Sequence, residues 1–373
     1  MSENLTNFAK LTQDEKKVWS RDLWTNAREK MFLSRLMGGT DSPVQEITEL
    51  TSTEKGDKVV MHLLADLKQD GVAGDATREG REEQMRAYTD EIQIDLISHG
   101  VRDTGKMANQ RTIVSMREHA RDHLSYWLAN RIDQLAVHTL SGINTDVTLD
   151  GAVRAEQTFN NLSFTADIRA PSASRHVRID ASGAVAAGDT TAVTPADKLT
   201  YNSMVDLAAY ADTQYMRPLS EGGGEYYVLW MHPLSYAQLK KDPDFQRAIT
   251  TAGPRDLNAN PWFKGGVVTV DGLVIQTSRM IYDNHLGAAG DKWGAAGDVT
   301  GTRALLMGAQ ALGMAKIGTP AWVEKEFNYD TQMGINVDQM IGFVKPQYQN
   351  DWLNNGTTKE DFGVIAVDHA FGG

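Results

Sequence analysis

Residues 56–142 constrain the fold of this chain more than any other stretch. They read as an outgoing strand, a long polar excursion, a returning strand and then one long helix. The outgoing strand covers residues 59–67, from Val59 to Leu67. In the return, Ile92, Ile94 and Leu96 alternate with Glu91, Gln93 and Asp95, the period-two pattern of a half-buried strand. Between the two, residues 68–87 hold Gly71, Gly74 and Gly80 and no apolar cluster. Such a tip cannot build a core of its own. A loop this long in a compact protein is either disordered or functional, for instance in touching another molecule. A β-arm with a polar tip therefore points to assembly rather than to a catalytic pocket.

The helix that follows is expected over residues 112–140. Ile113, Ala120, Leu124, Trp127, Leu128, Ile132 and Leu135 form a three-four stripe, and Arg117, Glu118, Arg121, Asp122, Arg131 and Asp133 fall mostly off it. Ser141-Gly142 ends it. At 1.5 Å per residue it is roughly 40 Å long, well above the average helix and enough to span a domain. An earlier helix is expected over residues 11–39, opened by the Thr12/Glu15 capping-box pattern and stopped by Gly38-Gly39. Trp19, Leu23, Trp24, Met31 and Phe32 do not share one face, so this helix is buried on several sides, by its own domain or by neighbouring subunits.

Composition narrows the class. With 41% apolar residues the chain can bury a real core, and its length suits two domains or one elaborated one. A net charge of −12 argues against a protein that coats nucleic acid, which needs clustered Lys and Arg. Cysteine is absent, so disulfides and thiolate metal sites are excluded and a reducing compartment is the default. No secretory signal or bilayer-spanning run is visible, and no membrane partner is expected.

Beyond Gly142 the chain is Thr-, Ala-, Asp- and Gly-rich to about Ala196, read as loop with small strands. Thr200 caps a helix carrying Met204, Leu207, Ala208 and Ala211 on one face. Residues 226–231 form a buried strand, and Pro233 opens a helix to Lys241, where its missing amide is harmless. Asp271-Gly272 between two β-runs is a strong hairpin signal. Gly-Ala-Ala-Gly-Asp at 287–291 recurs at 294–298, a local duplication. Residues 321–343 and 362–367 are β-like. The element order gives an α+β fold, without the regular alternation of a doubly wound sheet.

Three motifs invite a chemical reading. Gly100-Val101-Arg102-Asp103-Thr104-Gly105-Lys106-Met107 nearly matches a phosphate-binding loop, but Met107 stands where a magnesium-binding hydroxyl is needed. His119 and His123 lie one helical turn apart, but no third ligand is evident nearby. Asp242-Pro243-Asp244 lacks the oxygen spacing of a calcium loop and reads as a turn. No catalytic, cofactor-binding or metal residues are assigned, and no cofactor is expected.

The order of motifs resembles the major capsid proteins of tailed phages, specifically the N4-type podovirus family with the Hong Kong 97-like fold. The resemblance rests on Gly38-Gly39, Gly56-Asp57, Gly80-Arg81-Glu82-Glu83-Gln84 and Arg121-Asp122-His123-Leu124 with Trp127-Leu128-Ala129-Asn130-Arg131. It continues through Ala170-Pro171-Ser172-Ala173-Ser174-Arg175, Tyr227-Val228-Leu229-Trp230-Met231-His232-Pro233 and Asn260-Pro261-Trp262-Phe263. It closes with Arg303-Ala304-Leu305-Leu306-Met307-Gly308, Trp322-Val323-Glu324-Lys325-Glu326-Phe327 and Phe362-Gly363-Val364-Ile365-Ala366-Val367-Asp368.

The resemblance implies an N-terminal arm (1–54), an extended loop (55–105), a spine helix of a peripheral domain (106–142), an axial domain (143–301) with a loop insertion near 161–196, and a return to peripheral strands (302–373). It implies a shell of hexamers and pentamers around double-stranded DNA, assembled in the host bacterial cytoplasm. Scaffolding, portal and decoration proteins are the further partners. Inter-subunit contacts are expected from the loop residues Lys68, Asp70, Arg78, Arg81, Glu82, Glu83 and Arg86, and from Trp19, Trp24 and Phe32 of the arm. Two other classes stay open: a nucleotide-binding enzyme using residues 100–107, and a ring-forming virion or adaptor protein.

Overall fold

The computed structural model describes residues 13–48, 58–105 except 65, 66, 68, 76 and 86, 116–252 except 167, 222 and 223, 268–349 except 330, and 358–371. The described residues form five α-helices: α1 (Gln13–Lys30), α2 (Met116–Ser141), α3 (Tyr201–Thr213), α4 (Pro233–Leu239) and α5 (Pro243–Ala252). A five-stranded sheet has β1 (Met37–Gly38) at one edge, then β2 (Val44–Ile47), β13 (Leu312–Phe327), β14 (Gln332–Val344) and β5 (Asp95–Arg102). An eight-stranded sheet runs β10 (Val268–Val270), β11 (Leu273–Thr277), β9 (Gly224–Met231), β12 (Gly301–Met307), β17 (Val364–Ala370), β6 (His176–Ile179) and β7 (Val185–Ala187), with β8 (Leu219–Glu221) paired to β9. Two ribbons complete the fold, β3 (Lys58–Leu64) with β4 (Ala87–Gln93) and β15 (Gln347–Gln349) with β16 (Lys359–Asp361).

The centre of the eight-stranded sheet is buried on both faces, which is why its strands read as unbroken apolar runs. Tyr227, Leu229, Met231, Leu306, Ile365 and Val367 pack with Met204, Leu207, Leu239 and Phe245 of α3, α4 and α5. Their neighbours Val228, Trp230, Leu305, Met307 and Val364 turn the other way, into a core with α1 and α2. That same core takes in Met314, Trp322, Ile335, Val337 and Phe343 of the five-stranded sheet. Helix α2 is thus a common wall, and its stripe of Ala120, Leu124, Leu128, Ile132 and Leu135 is buried as the periodicity predicts. Each such large side chain contributes about 1.5–3 kcal/mol on burial.

Local signals set several boundaries. Thr200 and Ser203 form a reciprocal capping box at the start of α3, and Pro233 occupies the first turn of α4. Asp271 and Gly272 both take positive φ, 47° and 78°, the turn geometry that closes β10 onto β11 with the right twist. Asp242 accepts from the Asp244 and Tyr201 amides, so the Asp-Pro-Asp turn opens α5 and ties it to α3.

Other expectations are revised. The first helix stops at Lys30, not Gly39; a 3-10 turn (Leu33–Arg35) follows and Gly38 lies in β1. Its capping box involves Thr12, which lies outside the described residues. The returning strand breaks at Ile94: β4 pairs with β3, whereas β5 joins β14 in the five-stranded sheet. The strands of residues 302–373 are shared between two sheets. β13 and β14 lie in the five-stranded sheet, but β12 and β17 are central in the eight-stranded one. The segment near 161–196, read as loop with small strands, does supply two short strands, β6 and β7, and β6 pairs in parallel with β17.

Candidate assembly surfaces

The β3–β4 ribbon is antiparallel from Lys58↔Gln93 to Leu64↔Ala87. Alternation gives it two unlike faces. Val59, Met61, Leu63 and Ile92 are buried against Ile47, Ala315 and Val344, while Lys58, Val60, His62 and Glu91 are exposed. Gly342 lets β4 approach the five-stranded sheet closely: a Cβ there would lie 2.0 Å from the Gln93 carbonyl oxygen. Electrostatics pins the same base. Arg169 grips Asp90 through both nitrogens, at 2.5 and 2.8 Å, and the Gln347 amide donates to Asp90 at 3.1 Å. Beside it, the fully buried Lys345 ammonium lies 2.9 Å from Asp361, which also accepts from Ser172 and Gln347.

The tip is different. From Leu67 to Met85 every described residue is exposed or half-buried, including Leu67 and Met85 themselves at 60% and 70%. The charged cluster expected to register the loop divides into two kinds of residue. Glu83 accepts from the Gln69 amide at 2.8 Å across the tip, and Glu82 accepts from the Gly80 amide at 2.7 Å. These carboxylates hold the shape of the loop. Asp70, Arg78 and Arg81 are exposed and make no ion pair among the described residues. Lys68 and Arg86 lie outside the described residues.

The three aromatic residues expected to contact neighbours are used within the subunit. Trp24 is buried, with the Lys316 ammonium 4.9 Å from its ring. Phe32 stacks on Trp230 at 4.5 Å and 17°. Trp19, half-buried, stacks on Trp322 at 5.7 Å beneath the Arg121 guanidinium. Apolar groups surround α1 because it lies against both α2 and β13 of its own chain. Its exit is held by Asp133 of α2, which accepts from the Phe32 and Leu33 amides at 2.9 and 3.3 Å. Burial raises the Asp133 carboxyl to about 6, against the lowering effect of those two amides.

A second buried knot joins α2 to the eight-stranded sheet. Arg303 donates twice to Asp368, at 2.7 and 2.8 Å, and once to the Ser141 carbonyl at the end of α2. His176 completes it, 2.7 Å from Asp368. The Arg303 cation holds the Asp368 carboxyl below its ordinary range despite the opposing effect of full burial.

The remaining motifs do not form the sites they suggested among the described residues. Gly100, Val101 and Arg102 are extended and paired with Asn336, Ile335 and Gly334, so they do not curl around a phosphate; Lys106 and Met107 lie outside the described residues. His119 and His123 are exposed on α2 and belong to no three-ligand group among the described residues. Gly342 carried a legible sign, since an isolated glycine inside a strand marks a close backbone approach. Asp90, Arg169 and Asp133 carried none, because their partners lie 79 or more residues away.

A body with a shared core, a ribbon fastened at its base and an exposed polar tip is that of a structural, assembling protein. The chain belongs to the phage capsid protein family, whose profile matches residues 7–372. It is 46% identical to the major capsid protein of Pseudomonas phage KPP25 over 368 residues, 98% of this chain and 97% of that protein. Among solved structures it resembles the capsid of Ralstonia phage GP4 (26% identity, TM-score 0.73, 92% of this chain and 91% of that one). It also resembles the capsid asymmetric unit of cyanophage Pam1 (18% identity, TM-score 0.68, 91% and 92%). The fold is Hong Kong 97-like, and the protein is a shell-forming major capsid protein of a phage virion, not a nucleotide-binding enzyme.

Proposed function

We propose that subunits join as hexamers and pentamers of an icosahedral shell around packaged double-stranded DNA, formed in the host cytoplasm, with each β3–β4 ribbon lying on a neighbouring subunit. Residues 1–54 act as the arm, 55–105 as the extended loop, 106–142 as the spine and 143–301 as the axial domain in this reading. The strands after 302 serve both sheets. The order of motifs favours the N4-type branch, and scaffolding, portal and decoration proteins are the further partners. The net charge of −12 suits a lining along which DNA slides without sequence preference.

One observation carries the ribbon's role: its inner face is buried on its own body while its tip has no core. Glu82 and Glu83 keep the tip in shape, leaving Asp70, Arg78 and Arg81 outward for a neighbour. Each exposed ion pair is worth only about 0–1 kcal/mol, but a shell repeats it in every subunit. The test is R78E/R81E, followed by negative-stain microscopy and sedimentation. Loss of closed shells with an unchanged circular dichroism spectrum is expected. Wild-type yields of closed shells would refute the tip's role, and one closed ring as the sole product of the unmodified chain would favour the ring-forming alternative.

A further inference from the structure

The hairpin that joins β13 to β14 holds its turn in a conformation that one of its residues resists. Asn328 and Tyr329 both have a φ of 51°, in the left-handed region. Asparagine tolerates that region, but a bulky aromatic residue is a rare occupant of it and glycine is the ordinary choice. The strained residue is also the most exposed. Tyr329 is 99% exposed, and no other large apolar side chain among the described residues exceeds 73%. Its own subunit therefore gives the ring no packing in return for the strain. Strain without local compensation is a mark of functional positions.

The stem beneath the turn is stiff. Phe327 lies so close to Gly334 that a Cβ there would come within 2.7 Å of its ring. The Arg102 guanidinium sits over the same ring at 4.4 Å and the Lys325 ammonium at 5.1 Å. Arg102 also donates to the Gln332 side chain, whose Nε2 donates to the Thr104 carbonyl at 3.1 Å. The Thr331 amide and hydroxyl close the turn on the Asn328 carbonyl at 3.2 and 2.6 Å. A rigid support that holds an aromatic side chain in the open is a preorganised anchor, which can meet a partner with little loss of conformational freedom.

Charge and class indicate the partner. Arg102 and Lys325 are exposed beside the turn, whereas Asp103, Glu324 and Glu326 are half-buried. Glu324 is engaged by the Trp322 indole at 3.0 Å. The end of the stem thus presents cations in a chain of net charge −12, and a second copy offers it a surface of opposite sign. A shell-forming protein brings such copies side by side.

We propose that Tyr329 is an anchor between subunits: its ring seats on a second copy of this chain, and Arg102 and Lys325 meet carboxylates around it. The inference rests on the shell reading for its partner and adds a contact made by residues other than the ribbon tip. Burying the ring removes apolar area from water while the phenol keeps a hydrogen bond, the common use of tyrosine at interfaces.

The test uses the full chain and two variants. Y329N suits the left-handed turn and removes the ring; Y329F keeps the ring. Y329N should melt no lower than the unmodified subunit, yet its yield of closed shells should fall at least tenfold, with Y329F close to the unmodified chain. A residue that only shaped the turn would not separate stability from assembly in this way. In parallel, tetranitromethane nitration of the unmodified chain is located by peptide mass spectrometry. Tyr329 should react in free subunits and be protected at least tenfold in assembled particles; should Y329N fail to fold, this comparison decides. Equal reactivity in subunits and particles, or full shell yield from Y329N, would overturn the anchor. Single rings in place of shells from the unmodified chain would refute the shell reading instead. In that case Tyr329 protected within the rings would support the anchor, and Tyr329 reactive there would overturn it as well.

Discussion

Gly342→Ala tests whether the ribbon's seat on the body matters to the shell. The added methyl carbon would lie 2.0 Å from the Gln93 carbonyl oxygen and 3.1 Å from the Ile92 side chain. A carbon sits about 3.3 Å from such an oxygen at closest comfort, so β4 must retreat by roughly 1.3 Å. The obstacle is backbone, so no rotamer change relieves it. Retreat in turn opens the contact of Val59, Met61, Leu63 and Ile92 with the sheet, each worth about 1.5–3 kcal/mol. Overpacking of this kind costs about 1–3 kcal/mol when the surroundings share the strain. Local opening of the ribbon should therefore become about 5- to 150-fold more frequent, since each 1.4 kcal/mol is a factor of ten. The assay is amide hydrogen exchange of residues 58–64 and 87–93, with shell yield measured in parallel. Gly39→Ala is the control, because a Cβ there meets nothing within 4 Å. Ribbon exchange and shell yield that match the control would refute the reasoning.

Asp133→Asn addresses the latch between α1 and α2. The folded chain holds a proton on Asp133 up to about pH 6, while the unfolded chain releases it near 3.8. That stabilisation is fully present below the lower value and lost as pH rises through the upper one, about 3 kcal/mol in all. The substituted amide cannot ionise, so the variant should gain on the unmodified chain between pH 4 and 7; a stability difference that stays flat over that range refutes the latch. Lys345→Met leaves Asp361 buried and without its cation, and should cost about 3–5 kcal/mol in urea titration. Adding Asp361→Asn should recover much of that loss, and a double variant no more stable than the single one would show that the pair is not the cause.

The parts of the fold legible in the sequence are those governed by neighbours in the chain. The α2 stripe, the Thr200 cap, the Asp271-Gly272 turn and the inward–outward alternation of the ribbon all rest on spacings of two to four residues. The family likeness was legible from the order of many weak motifs. What failed to show depends on residues brought together from afar. Nothing near Asp133 announces that it will hold two amides a hundred residues earlier. Trp19 and Trp24 of α1, and Phe32 just after it, pack within their own chain; the sequence left this open beside contact with a neighbour, because it cannot say whose core surrounds a helix. Gly100 to Gly105 looked like a phosphate loop until pairing with β14 straightened its first half.

The position of β17 bears on the timing of synthesis. It is the last described strand to be made, yet it sits between β12 and β6 in the middle of the eight-stranded sheet. Until it arrives, β12 and β6 have no common partner, and Arg303 has no Asp368. Such a sheet closes late because its defining contacts span long stretches of chain. A nascent chain that has not yet released β17 therefore lacks a finished body, and lateral association on the polysome is deferred until that strand has emerged.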